Sequence, residues 1–197
     1  MQRAVVAKGV YMKKKRTRVL LLIVIALVTS CQSSLSMKRD EFKKATIAVI
    51  EDNSYTAEDK AFIDALDTEF YREVLDNGAQ SAKLIVKYIA DKDDGSSFNR
   101  EAFLSYDGET VPLQVSNVES EITLKIDGNK KNAKIETGHT INLTGEISLS
   151  PAHVQRLVTA QAVGLRLYVG PRKKPVTVNY APKIIALIQQ WAAIGRQ

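Results

Sequence analysis

Hydrophobic residues alternate with polar ones over most of the middle of the chain. Leu84, Val86 and Tyr88 would share one face of a strand, and the alternation returns at Ile141 and Leu143. A period of two is the pattern of a half-buried strand, because successive side chains point to opposite faces of a sheet. The pattern therefore constrains this region to a sheet with one buried face.

Two Asp-Gly pairs divide the region into hairpins. Asp107-Gly108 and Asp127-Gly128 each stand between apolar runs. This is a strong hairpin signal, because a type I′ turn needs a positive φ at both central positions. Gly145 has the parity of its apolar neighbours, which predicts a bulge or bend. The predicted strands are residues 102–106, 110–115, 120–126 and 132–137.

Apolar residues recur every four positions between residues 57 and 76. This spacing is typical of an amphipathic helix that buries one face. Thr56 precedes the run as an N-cap, and Gly78 follows it where a positive φ can end a helix. The sequence therefore predicts a helix over these residues. The four repeating side chains are Phe62, Leu66, Phe70 and Val74.

Shorter patterns flank these elements. Residues 45–50 suit a strand, and Ser150-Pro151 supplies an N-cap and a proline at the start of a short helix. Residues 163–169 alternate as a strand, a return strand follows, and a last amphipathic helix contains Trp191. The predicted class is α+β, a curved antiparallel β-sheet built as a meander of hairpins, with about three helices covering one face. The segment from residue 143 to 191 resembles the last third of uncharacterised exported bacterial domains, which implies no function.

The first 30 residues have the organisation of an export signal. Five cations between residues 13 and 18 precede a ten-residue apolar run, and small polar residues follow. Ten residues are too few to span a bilayer, which takes roughly 20. We therefore divide the chain into a signal peptide (residues 1–30), a short tether (31–44) and one α+β domain (45–197). The eleven residues before Met12 are unusual in such a signal, which leaves Met12 open as an alternative start.

The run Val28-Thr29-Ser30-Cys31 resembles the lipobox of bacterial lipoproteins. The resemblance implies that the Cys31 thiol is diacylglycerated, that cleavage occurs before it, and that acyl chains such as palmitate anchor the mature chain in a membrane. Two or three chains give stable anchoring, since each buried CH₂ contributes about 0.8 kcal/mol. Gln32 stands where lipoproteins retained at the inner membrane typically carry Asp, so the resemblance favours the outer membrane. An ordinary secretory signal cut after Ser30 is the alternative.

The distribution of charge argues against nucleic acid as a partner. The chain has 28 Lys and Arg against 22 Asp and Glu, but seven of the cations and none of the anions precede Cys31. The mature portion is therefore close to neutral, without the basic surface that nucleic-acid binding requires. Because Cys31 is the only cysteine, the chain has no intramolecular disulfide.

Neither histidine has a partner at a spacing that predicts catalysis or a metal site. His139 reads as a turn or strand residue, and His153 lies in the first turn of the short helix. Residues 91–95 resemble the start of an EF-hand, but glycine stands at the fifth position and Ala102 at the twelfth, where that loop needs Gly at six and Glu at twelve. We therefore predict no metal, no cofactor and no catalytic residue.

Four acidic residues could in principle pair for glycoside hydrolysis, in which two carboxylates stand roughly 5 to 9 Å apart. They sit at turns and strand ends, where acids are common. An envelope hydrolase that uses such acids is therefore kept as an alternative. The four are Asp107, Glu109, Glu119 and Glu121.

Three adjacent cations, Arg172, Lys173 and Lys174, stand between two prolines at a predicted hairpin tip. We call them the basic tip and expect either a solubilising hairpin end or a contact with anionic lipid or an envelope protein. The predicted function is that of a membrane-anchored, non-catalytic binding or assembly module of the cell envelope. A carrier that encloses an apolar ligand in its curved sheet is a further alternative. Whether the domain faces the periplasm or the cell surface stays open.

Overall fold

Nine strands form one curled antiparallel sheet in the computed structural model, which describes residues 33–52, 65–90, 97–128 and 135–195. The strands are β1 (Leu35–Asp40), β2 (Ala45–Asp52), β3 (Ala65–Leu75), β4 (Gln80–Ala90), β5 (Phe98–Tyr106), β6 (Glu109–Gly128), β7 (Ile135–Ser148), β8 (Val163–Val169) and β9 (Lys174–Asn179). The helices are α1 (Pro151–Leu157) and α2 (Pro182–Ala193). The strand order is β1-β2-β3-β4-β7-β6-β5-β8-β9. The predicted α+β class with a curved antiparallel sheet is confirmed, but the described residues contain two helices instead of three.

The predicted helix over residues 57–76 is wrong from Ala65 onward, where the chain forms β3. A spacing of four residues satisfies a strand as well as a helix, because it equals two strand repeats. Thr68 and Arg72 fill the alternate inward positions and are each 3% exposed. Because these two inward residues are polar, the apolar residues of β3 do not show the period of two that is typical of a strand. Phe62 lies outside the described residues.

Gly78 has the positive φ that the sequence predicted, at +83°. It belongs to the turn between β3 and β4, in which the Gly78 N–H donates to the Leu75 carbonyl. The predicted helix end is therefore a hairpin turn.

The segment predicted as a tether contributes an edge strand. Within residues 31–44, β1 pairs along its whole length with β2, from Leu35 opposite Ile50 to Asp40 opposite Ala45. This pairing fixes the register of β1, because a sheet with one buried face specifies which residues of its strands point inward. The folded part therefore begins before residue 45. The strand predicted over residues 45–50 is confirmed as β2.

One of the two Asp-Gly predictions is confirmed. Asp107 and Gly108 have φ values of +49° and +88° and join β5 to β6, with Tyr106 opposite Glu109. The second pair does not form the turn, since β6 continues through Gly128, which pairs with Ile135. The connection between β6 and β7 falls on residues 129–134, outside the described residues.

Strand β6 pairs with two different strands along its length. Its first half pairs with β5 up to Gln114, its second half pairs with β7 from Val115, and the register with β7 shifts in a bulge between Ser116 and Glu119. Gly145 lies on β7 opposite this shift, in unbroken register with β4. The bulge that the sequence predicted at Gly145 on β7 therefore lies on β6, the strand that faces Gly145. A Cβ at Gly145 would stand 2.6 Å from Val115 Cγ1, so the absence of a side chain lets β6 pack closely there.

Helix α2 lies across the concave face of the sheet, and α1 packs beside it. The Trp191 side chain is fully buried, its Nε1–H donates to the Ala48 carbonyl at 3.2 Å, and its ring meets Phe70 edge-on at 5.5 Å. Ser150 caps α1 through its side chain, as predicted. These contacts fill the concave face with apolar side chains.

The alternation of strand direction places the turns at two opposite rims. Each antiparallel pairing reverses direction, so β1 and β9, first and ninth in the order, run the same way. The start of β1 at Leu35 therefore lies at the same rim as the turn 170–173, which we call the N-terminal rim. The turns 41–44 and 107–108 lie at the opposite, distal rim.

Candidate functional site

Several predicted site residues lie where the structure gives no side-chain description. Cys31 and residues 91–95 are outside the described residues, so lipidation of Cys31 stays a prediction. The backbone of His139 belongs to β7. These positions contribute nothing to the geometry that follows.

His153 closes a capping box at the start of α1. Its N–H donates to Ser150 Oγ, and its ring Nδ1 accepts from the Ser150 N–H, both at 3.3 Å. Burial, and then the charge of Arg156, lower the pKa of His153, which favours the neutral ring that can accept this hydrogen bond. The position of His153 is that of a structural cap.

Asp107 and Glu109 hold the region around α1 to the β5–β6 hairpin. Asp107 Oδ1 accepts from the N–H groups of Gln161 and Ala162 at 2.8 and 2.7 Å. Arg156 donates two hydrogen bonds to the Glu109 carboxylate, and this contact lowers the pKa of Glu109. A general acid needs a raised pKa, so this environment opposes such a role for Glu109.

Glu119 and Glu121 are exposed on the second half of β6, opposite Thr144 and Asn142. Within the part of the chain that the structure describes, no group of three or more His, Cys, Asp or Glu side chains could hold a metal ion. The four acids of the hydrolase alternative therefore lie in two places, Asp107 and Glu109 at the β5–β6 turn and Glu119 and Glu121 on the second half of β6.

The basic tip is partly confirmed as a hairpin end. Arg172 and Lys173 are exposed in the turn between β8 and β9, and Lys174 is the first residue of β9 and partly exposed. Lys173 adopts a φ of +51°, and its Nζ lies 3.4 Å from Glu101 Oε2. The tip therefore presents its cations at the N-terminal rim, where Lys173 lies beside an acid.

A groove that the sequence did not indicate lies on the outer face of β5, β8 and β9. It has a volume of about 380 Å³, within the range of roughly 300–1,000 Å³ typical of small-molecule sites. Its floor is Gly164, and we call it the Gly164 groove. Its principal side chains are Phe103, Ser105, Arg166, Tyr168, Thr177 and Asn179.

Gly164 keeps the floor of the groove open. Ser105 on β5 and Asn179 on β9 are its partners in register. A Cβ at Gly164 would stand 2.7 Å from Ser105 Oγ and 3.1 Å from Asn179 Oδ1. Only glycine therefore fits between these two polar side chains without displacing them.

Arg166 is the one charged side chain among the described residues that line the Gly164 groove. It is exposed, and its Nε–H donates to Thr177 Oγ1 at 3.3 Å, while no acidic side chain in the described ranges pairs with it. Phe103 lies opposite Arg166 in register and meets Tyr168 edge-on, with 6.1 Å between ring centroids. The groove therefore combines a guanidinium, two partly exposed aromatic rings and several hydroxyl and amide groups.

A smaller cavity of about 170 Å³ lies beside Arg72, Gln80 and Val154. Arg72 Nη1 donates to the carbonyls of Trp191 and Ala192, and its Nη2 donates to Gln80 Oε1. Because these donors are engaged by the protein, Arg72 supports the fold at this cavity.

The sequence matches no protein-family model, and neither a curated protein nor a solved structure matches it. In the described ranges, the structure contains no helix long and apolar enough to cross a membrane. The site geometry is therefore the basis of the functional argument.

Proposed function

We propose that the chain is a lipid-anchored protein of the bacterial cell envelope whose folded part is a non-catalytic binding module, held with its N-terminal rim towards the membrane. One observation supports this orientation of the folded part. The antiparallel order places the start of β1, four residues after Cys31, at the same rim as the basic tip. The lipid anchor and the cations would then meet the same surface.

The short connection supports this orientation. Four residues span at most about 14 Å when fully extended, so acyl chains on Cys31 would keep Leu35 close to the bilayer. A cation near an anionic leaflet contributes roughly 1 kcal/mol, and the effect decays over about 8 Å at physiological salt. The basic tip can therefore orient a domain that the acyl chains already hold. It is too weak to anchor the domain alone.

The contacts of the described residues favour neither the hydrolase nor the carrier of an apolar ligand. A hydrolase that uses Asp107 or Glu109 would have to release the hydrogen bonds that bind them to the α1 region. A carrier would need space on the concave face, where Phe70 and Trp191 are fully buried. The Gly164 groove on the outer face is the better candidate for ligand binding.

Lipidation at Cys31 is the first test. We expect the protein extracted from membranes to have an intact mass equal to residues 31–197 plus two or three acyl chains, because the Val28-Thr29-Ser30-Cys31 run directs modification and cleavage. The Cys31→Ala variant should lose the added mass and most of its membrane partitioning. A chain that begins at Cys31 without acyl mass would refute lipid anchoring.

The basic tip is the second test. We expect the unlipidated chain from Gln32 onward to bind vesicles of anionic lipid weakly and to release them as salt rises, because the attraction is screened. Changing Arg172, Lys173 and Lys174 to alanine should abolish binding in a flotation assay without lowering the melting temperature.

A matched variant tests the orientation. Changing Lys38, Lys43 and Lys44 to alanine also removes three cations, but near the distal rim and around Phe42, which is fully exposed. This variant should bind vesicles like the wild type. Equal binding by the basic-tip variant, or a loss confined to the distal variant, would contradict the proposed orientation.

A further inference from the structure

We infer that the Gly164 groove binds a saccharide that carries a carboxylate group. The binding chemistry follows from the groove itself. That the saccharide belongs to the cell envelope rests on the proposed function. The inference depends on the charge of the groove, on its aromatic and polar lining, and on the backbone of the strand below it.

The charge of the groove favours an anionic ligand. Arg166 lines the groove and is exposed, its Nε–H donates to Thr177 Oγ1, and its guanidinium has no acidic partner among the described residues. A guanidinium binds a carboxylate through two parallel N–H···O hydrogen bonds, which fix the orientation of the ligand. Among the described residues that line the groove, none is acidic. A carboxylate would therefore meet one cation and no described acidic side chain in the lining.

The remaining lining favours a sugar ring over a simple carboxylic acid. Phe103 and Tyr168 are partly exposed beside Arg166, and an aromatic ring offers a flat apolar surface to the C–H face of a pyranose. Thr177 and Asn179 supply hydroxyl and amide groups that can donate and accept hydrogen bonds, as sugar hydroxyls require, and the Ser105 hydroxyl, which donates to the Gly164 carbonyl at 3.3 Å, can accept one.

The backbone of β8 argues against an extended peptide. Peptides that join a sheet bind through the free N–H and C=O groups of an edge strand. The central strand of the groove is internal, since β8 pairs with β5 on one side and with the edge strand β9 on the other. The groove lies on the face of the sheet and not along the free edge of β9, so a ligand there is held by side chains.

The groove runs along β8 from the distal rim towards the proposed membrane contact. Strand β8 begins at the distal rim and ends at the turn that carries the basic tip, so Gly164 is six residues and Arg166 four residues from Gly170. These separations correspond to about 20 and 13 Å along a strand. A saccharide could therefore enter at the Gly164 end, on the side away from the bilayer, while the basic tip stays at the lipid surface.

The test is calorimetric titration of the full lipidated protein in detergent with three probes. The probes are a disaccharide containing glucuronic acid, the corresponding neutral disaccharide and succinate. We expect the acidic disaccharide to bind at least about tenfold more tightly than the other two, because only it uses both Arg166 and the aromatic rings. Equal affinity for succinate, or no binding of the acidic disaccharide, would overturn the assignment.

Two variants test the contribution of the guanidinium and that of the aromatic ring separately. Arg166→Gln should remove the preference for the acidic over the neutral disaccharide, and Tyr168→Leu should weaken both disaccharides while leaving the preference in place. Arg39→Gln removes an exposed cation of the same type on β1, at the other edge of the sheet, and should bind like the wild type. Loss of binding in Arg39→Gln equal to that in Arg166→Gln would place the site elsewhere.

These outcomes are separate from those of the proposed function. Titration in detergent does not require a membrane or a particular orientation. Failure of Cys31 lipidation would leave the saccharide result intact, and failure of saccharide binding would leave the lipid anchor intact. Circular dichroism and the melting temperature of each variant show that the fold is retained.

Discussion

Replacing Arg72 with methionine is expected to destabilise the protein by about 2–4 kcal/mol, because several buried acceptors lose their donor at once. Arg72 is 3% exposed and donates to the carbonyls of Trp191 and Ala192 and to Gln80. The last carbonyls of a helix have no intrahelical partner and carry partial negative charge. Helix α2 has no basic residue in its own last turn, so β3 supplies the cation.

The measurement is chemical denaturation, with fluorescence of the single tryptophan as the local signal. We expect the Trp191 emission of Arg72→Met to shift at lower denaturant, because the end of α2 is released first. Arg72→Lys should be intermediate, since one ammonium cannot reproduce the planar set of donors. Arg39→Met removes an exposed arginine that binds Asp76 through two hydrogen bonds, and it should change stability far less. Equal stability of Arg72→Met and the wild type would contradict this role.

The contacts of Arg72 also explain why β3 was predicted as a helix. Leu66 and Phe70 are spaced for either structure, and the inward positions between and after them hold Thr68 and Arg72. Strand patterning depends on apolar residues at every second position, and a polar inward residue removes that signal. Arg72 points inward because it donates to the carbonyls at the end of α2, which lies more than a hundred residues later in the chain. A local window contains no information about that partner.

Turn chemistry predicted one hairpin and misplaced another. At Asp107-Gly108 both residues adopt the positive φ that a two-residue turn needs, and the local signal was sufficient. At Asp127-Gly128 the same dipeptide pairs within a strand, opposite Glu136 and Ile135. Asp-Gly permits a turn without requiring one. The cross-strand register decides where the turn falls.

The Gly164 groove was not predictable, although its strand was. The alternation over residues 163–169 correctly placed the apolar side chains inward, and it left Gly164, Arg166 and Tyr168 on the outer face. The groove also needs Phe103 from β5 and Asn179 from β9. Which strands flank β8 follows from the order of the sheet. A single sequence contains periodicity but does not contain that order.

Replacing Trp191 with alanine is expected to destabilise the protein by about 3–5 kcal/mol, the range for deleting a large buried aromatic side chain. Trp191 is fully buried between α2 and the sheet, where it contacts Phe70 and donates to the Ala48 carbonyl. Denaturation followed by circular dichroism measures the loss. Trp191→Phe keeps most of the apolar contact but leaves the Ala48 carbonyl without this donor, so it should lose less. Gln190→Ala changes an exposed neighbour on the same helix and should stay within about 0.5 kcal/mol of the wild type. If Trp191→Ala lowered the free energy of unfolding no more than Gln190→Ala, the contacts of Trp191 would not hold α2 on the sheet. The argument that a filled concave face excludes an enclosed ligand would then lose its main support.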